Sequence, residues 1–287
     1  MTTVLREHEP AELALRPAVL SGGPWTSGDA VNDEVKFVIQ AQPDDTTCGP
    51  TCLQAVYSYF GDEIPLSQVI AEVPALAAGG TLAVLLGEHA LRRGYQATIY
   101  TYNLDVFDPS WFSERERGPS SDRTASRDFL LERLATQRKH KSLLKLQTES
   151  AAYTEFLQLG GTICMQELNG QLIRRFLKRS VPILTGLSST YLYFTRREIP
   201  DNCQPDDVRG YPCGHFVVLC GYDQTARTVS VADPYLPNPL GEEHHYDVQL
   251  DRLIAAILLG VLTYDANLLV IEPRSKKQNQ SKKQKHR

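Results

Sequence analysis

Apolar residues recur along this chain with two different periods, and the changes of period mark out its elements. Leu53, Val56, Tyr57 and Phe60 fall at i, i+3, i+4 and i+7, one face of a helix that opens at about Cys48. Pro50 suits a first helical position and Gly61 a C-terminal stop. Upstream, Val35 to Ile39 alternates well enough to predict a strand that delivers Gln42. Downstream, Leu66 to Val73 reads as a short helix with Ser67 as its cap. Thr81 caps a longer helix ending at Gly94, with Leu82, Leu85, Leu86 and His89 on one face. His89 lies on that apolar stripe and reads as a histidine at the edge of the core. Tyr95 to Tyr102 is strand-like.

From Asn103 to about Ser150 the composition shifts. Ser113 to Arg123 is a charged loop punctuated by Gly and Pro, and Asp128–His140 and Glu149–Leu159 read as helices of mixed charge. Two readings stand side by side: a helical insertion that packs on the body, or a lid that frames a site. Thr162 to Leu168 is strand-like, Asn169 caps a helix to Ser180, and Val181 to Leu187 reads as a buried strand. His215–Asp223 and Thr228–Tyr235, short and rich in β-branched and aromatic residues, form a hairpin about a polar turn at Asp223–Arg227. With Tyr222 opposite Thr228, Val217 faces Asp233, and His215 and Asp233 are diagonal neighbours within side-chain reach. Asp201 to Pro212 is a polar loop bordering His215. His244-His245 is a solvated loop pair, Gln249–Leu258 a helix and Asn267–Ile271 a closing strand.

Composition adds limits. The chain has 287 residues, 42% apolar and 22% charged, enough for a sizeable core and against overall disorder. No apolar run reaches bilayer-spanning length, and the first residues lack a basic start followed by an apolar stretch. A cytoplasmic location is the default expectation. Residues 1–34 read as a loose lead-in and 274–287 as a disordered tail with seven Lys/Arg and no acid. The net charge of −4, less those seven positive charges, leaves −11 for residues 1–273. An acidic body of that kind does not suit nucleic acid as a partner. The six cysteines (48, 52, 164, 203, 213 and 220) are expected mainly as free thiols, with Cys203 and Cys213 able to pair in an exported protein. Cys48 and Cys52 lack a second Cys/His pair at ligand spacing, so neither zinc nor another cofactor is expected.

Candidate chemistry gathers at two distant stretches. Cys48 stands where a helix exposes unpaired N–H groups and its positive dipole end, which favour a thiolate; Asp44 and Asp45 push the other way. His215 with Asp233 is the histidine–carboxylate pair that serves as general base for a thiol. Gln42, the pattern Thr47-Cys48-Gly49-Pro50-Thr51-Cys52, the run Gly214-His215-Phe216-Val217-Val218-Leu219 and Ala232-Asp233-Pro234 together resemble the peptidase C39-like family of papain-fold cysteine peptidases.

That resemblance, over about residues 35–105 and 160–272, implies an α+β, papain-like fold. An N-terminal helical lobe would carry the Cys helix, packed on an antiparallel sheet carrying the His and Asp. It implies Cys48 as nucleophile, His215 as base, Asp233 as its orienting acid and Gln42 as an oxyanion donor, acting on a peptide or amide through a thioester. It also implies one C39-like domain at 35–273, with the insertion at about 103–150. Two other readings use the same residues: an acyltransferase passing the acyl group to an amine or thiol, and a peptide-binding module that does not cut. The four retained positions weigh against the second.

Overall fold

A computed structural model of the chain describes residues 37–76, 79–112, 124–200, 202–263 and 266–274. The lead-in, the loop expected at Ser113–Arg123 and the basic tail beyond Arg274 lie outside them. In chain order the described elements are α1 (Cys48–Tyr59), α2 (Leu66–Glu72), α3 (Ala83–Arg92), β1 (Tyr95–Thr101), α4 (Arg127–His140), α5 (Leu144–Gln158), β2 (Thr162–Cys164) and α6 (Gly170–Leu177). There follow β3 (Ile183–Ser188), α7 (Ser189–Tyr193), β4 (Glu198–Ile199), β5 (Gln204–Pro205), β6 (Gly214–Asp223), β7 (Thr228–Ala232), β8 (His245–Gln249), α8 (Leu250–Leu259) and β9 (Asn267–Pro273).

The architecture is α+β. A seven-stranded sheet runs in the order β2-β1-β9-β3-β6-β7-β8, antiparallel except where β1 pairs with β2. Side chains on its two faces enter two separate cores. Phe216, Val218, Leu269 and Ile271 pack with α1, α3 and α5; Val217, Leu219, Leu268 and Val270 pack with α6 and α8. Covering both faces explains why β9 has a continuous apolar run instead of an alternating one. α1 lies against β6, and close approach there needs Gly49, where a Cβ would come within 2.7 Å of Thr81 Cγ2 and 3.3 Å of Phe216.

Most expected elements are present, with shifted ends and several corrections. The segment delivering Gln42 keeps its alternation, since Phe37 and Ile39 are buried and Val38 is 69% exposed, but Phe37–Gln42 joins no ladder. A single backbone bond, Gln42 N–H to Pro234 O at 2.9 Å, ties it down instead. Thr81 does not cap α3; its hydroxyl donates to Pro74 O at 2.9 Å. Ser67 lies inside α2, which Pro65 precedes, and caps nothing. β2 is three residues, limited by its three parallel partners on β1. α5 starts at Leu144, earlier than the charge pattern suggested, because Leu146 turns into the core. Asn169 does cap α6, accepting from Gln171 N and Leu172 N at 3.0 Å.

The hairpin contains a detail that periodicity cannot reveal. Asp223, not Tyr222, pairs with Thr228, so the turn end is one residue out of the expected register. A β-bulge at Cys220 removes the offset, and beyond it Leu219 pairs with Val231 and Val218 with Ala232. That is the expected register at the end carrying His215.

Candidate active site

Cys48 is the first residue of α1. Thr47, in the cap position, makes no side-chain bond to the first turn; its hydroxyl turns back to Asp44 O at 3.2 Å. The Cys48 and Gly49 N–H groups that open α1 therefore carry no side-chain cap. Asp44 also spends its charge locally. Its Oδ1 accepts from Thr46 N–H and Thr46 hydroxyl, each at 2.8 Å, and these bonds hold its carboxyl below the usual carboxylate range.

The structure brings Cys48, His215 and Asp233 together across the junction of α1 with β6 and β7. His215 Nε2 bonds Asp233 Oδ1 at 2.7 Å, and the Cys48 sulfur acts on the same imidazole, raising its proton affinity. With Nε2 spent on the carboxylate, Nδ1 is the nitrogen left for sulfur. Burial works against the charged imidazole, but the Asp233 carboxylate and the Cys48 sulfur outweigh it, and His215 is pushed up to about 10. His215 and Cys48 retain 8% and 9% of their surface exposure, and Asp233 none.

Asp233 receives four donors. Oδ1 accepts from His215 Nε2 and from Tyr235 N–H at 2.9 Å; Oδ2 accepts from Tyr193 Oη at 2.6 Å and Tyr246 Oη at 2.5 Å. Burial raises its proton affinity, yet His215 and the two phenols hold the carboxyl below its ordinary range. His244 is not a solvated loop residue as expected. It is half-buried beside Asp233, whose N–H bonds His244 O at 2.8 Å while Asp233 O is 2.7 Å from His244 Nδ1. His245 opens β8 opposite Ala232. The rings of Tyr193 and Tyr235 flank His215, each with its centroid 6.2 Å away.

Gln42 sits at the Asp233 end of this cluster through its backbone bond to Pro234. Its Nε2 donates to Asp44 O at 2.8 Å, which occupies one of its two N–H bonds. Its Oε1 is buried with no hydrogen-bond partner among the described residues. Cys52, one turn beyond Cys48, is a free thiol donating to Phe216 O at 3.3 Å, and burial first, then Cys48, pushes its proton affinity well up. All six cysteines are free, so the neighbouring pair on α1 forms no disulfide. His89 is at the edge of the core, between Tyr57 Oη at 2.8 Å and Glu72 Oε2 at 2.9 Å, away from this cluster. Sequence reasoning missed Tyr193 and Tyr246, because a phenol reaching over from a helix or strand 40 or 13 residues away leaves no local pattern, and it missed the Tyr235 N–H two residues from Asp233.

Residues 135–255 match the family model described as Peptidase_C39 like family. The resemblance read from the sequence is thereby borne out over a segment that holds His215 and Asp233 and begins within α4. Cys48 and Gln42 lie outside it. Two solved structures are similar to the chain. One is a double glycine motif protease from an AMS/PCAT transporter in complex with the leader peptide, at 14% identity and a TM-score of 0.38, covering 83% of this chain and 93% of that one. The other is the peptidase domain of Streptococcus ComA, a bi-functional ABC transporter involved in a quorum sensing pathway, at 11% identity and a TM-score of 0.36, covering 83% and 99%. No curated protein matches the chain. Among the described residues no helix is long and apolar enough to cross a membrane.

Proposed function

We propose that this protein is a cysteine hydrolase of peptide or related amide bonds, with Cys48, His215 and Asp233 as its triad. One observation carries the reading: a helix-opening cysteine whose sulfur acts on an imidazole that is bound through Nε2 to a buried carboxylate. In the first step His215 Nδ1 holds the proton of the reacting pair, and the Cys48 sulfur attacks the carbonyl carbon of the scissile amide. The negative oxygen that forms is met by the Cys48 N–H and by the second N–H of Gln42, the one not bound to Asp44. His215 then gives its proton to the departing amine, the C–N bond breaks, and a thioester on Cys48 remains. Water, deprotonated by His215, attacks that thioester, releasing the carboxylic acid and restoring the thiol.

The uncapped first turn of α1 supports the oxyanion role, since a side-chain cap there would compete with substrate for the same N–H groups. The test is alkylation of the native protein by iodoacetamide, followed by peptide mapping, alongside turnover of a peptide library. Cys48 should label faster than the exposed Cys203, and His215→Ala should erase both that advantage and turnover. Equal labelling of the two thiols in wild type would sink the reading. Gln42→Ala should cost about a hundredfold or more in kcat while leaving thermal unfolding in place, as removing an oxyanion donor costs about 2.7–4 kcal/mol of barrier.

A further inference from the structure

Asp233 poses a problem that the triad alone does not solve. A fully buried carboxylate beside a histidine can take the proton it is meant to hold in place, leaving two neutral partners. What prevents this must act on the carboxylate, and the structure offers two phenols that converge on the oxygen His215 does not use.

Tyr193 ends α7, and its position is fixed from both sides. Ser188 caps the helix by accepting from Tyr191 N–H, Phe194 turns the chain with φ 53°, and Arg252 both lies 4.5 Å over the Phe194 ring and bonds Leu192 O. Tyr246 comes from β8, where it pairs with Val231 next to the site. The two hydroxyls reach Asp233 Oδ2 from different elements, each spending its one O–H hydrogen on it. Burial, and then the Asp233 charge, raise the proton affinity of both phenols, so each stays a donor across the working range. The groups facing Asp233 among the described residues are His215 from β6, Tyr193 from α7, Tyr246 from β8, the Tyr235 N–H, His244 on the backbone side, and the protonated Cys52 of α1. His215 in turn faces Cys48.

We propose that Tyr193 and Tyr246 are positioning residues that keep Asp233 ionised with Oδ1 aimed at His215, so that the transferred proton stays on the imidazole for delivery to the leaving amine. With both phenols on Oδ2 and the Tyr235 N–H sharing Oδ1, the carboxylate is a poor competitor for that proton. This role rests on the Cys48–His215 reading, but its physical core, the protonation of His215, can be measured without turnover.

The test is a 13C NMR titration of labelled histidine in wild type, Tyr193→Phe, Tyr246→Phe and the double variant, with kcat/KM followed against pH in parallel. Phe keeps the ring and its packing and removes only the donor. In the double variant the His215 midpoint should fall by about one pH unit or more, each lost bond to a charged group carrying that order of effect. The alkaline limb of kcat/KM, set by loss of the imidazolium proton, should move down by the same amount. The His89 signal serves as internal reference. If the double variant does not fold, a shift in either single variant sustains the proposal. An unmoved His215 midpoint in every folded variant overturns it and reduces the tyrosines to packing. A protein inactive throughout, with the midpoint shifting as described, would keep the clamp and discard the hydrolase.

Discussion

Two buried carboxylates in this molecule behave in opposite ways. Asp233 is fully buried and Glu149, on α5, is 2% exposed, yet the first is held below its ordinary range and the second is pushed up to about 6. Burial is the largest influence on both and raises both. The difference lies in the donors. Asp233 has two phenols, a backbone N–H and the imidazole within 2.9 Å. Glu149 has Asn103 Nδ2 at 3.2 Å on one oxygen; the other has no hydrogen bond, and Lys145 Nζ stays 3.9 Å away. A buried acid is thus ionised where the chain surrounds it with donors and reluctant where it does not.

The comparison breaks most violently at Asp233. Asp233→Ala leaves His215 and two phenols without their common acceptor, and should cost about 3–5 kcal/mol in urea denaturation, the scale for removing one member of a buried pair. Glu149→Gln should do the reverse. Between 4.5, the ordinary carboxyl value, and about 6, folded Glu149 keeps a proton that the unfolded chain has released. The native state then binds more protons, and stability falls as pH rises through that window. The glutamine variant, which cannot ionise, should exceed wild type by about 2 kcal/mol at pH 8 and match it near pH 4. Stability curves that stay parallel from pH 4 to 8 would refute this. The smallest effect sharpens the contrast: Asn103→Ala removes the hydrogen-bond donor of Glu149, and should lower stability by about 1 kcal/mol more at pH 8 than at pH 4, read from the same denaturation series.

How much of this was legible in the sequence follows from the range of each interaction. α1 and the β6–β7 hairpin are written in local periodicity, and with them came Cys48, His215 and Asp233. Asn169 announced its cap because the bonds it makes are two and three residues away. Thr81 looked equally like a cap, but its hydroxyl found Pro74 O across a loop. Residues 37–39 carry a strand pattern with no neighbouring strand to pair with, and alternation alone could not report that. Tyr193 and Tyr246 approach Asp233 from 40 and 13 residues away, and Glu149 meets Asn103 across 46; nothing in the intervening chain signals any of the three.

The bulge at Cys220 sets how the hairpin tolerates change. Were the spacing at the turn carried straight through, Val218 would stand opposite Asp233, and His215, three positions along, would project from the reverse side of the sheet. The extra residue acts like a vernier, cancelling a one-step phase error before it reaches the chemistry. The turn at 224–227 can therefore follow its own geometry, while the pairing that matters is reset a few residues later.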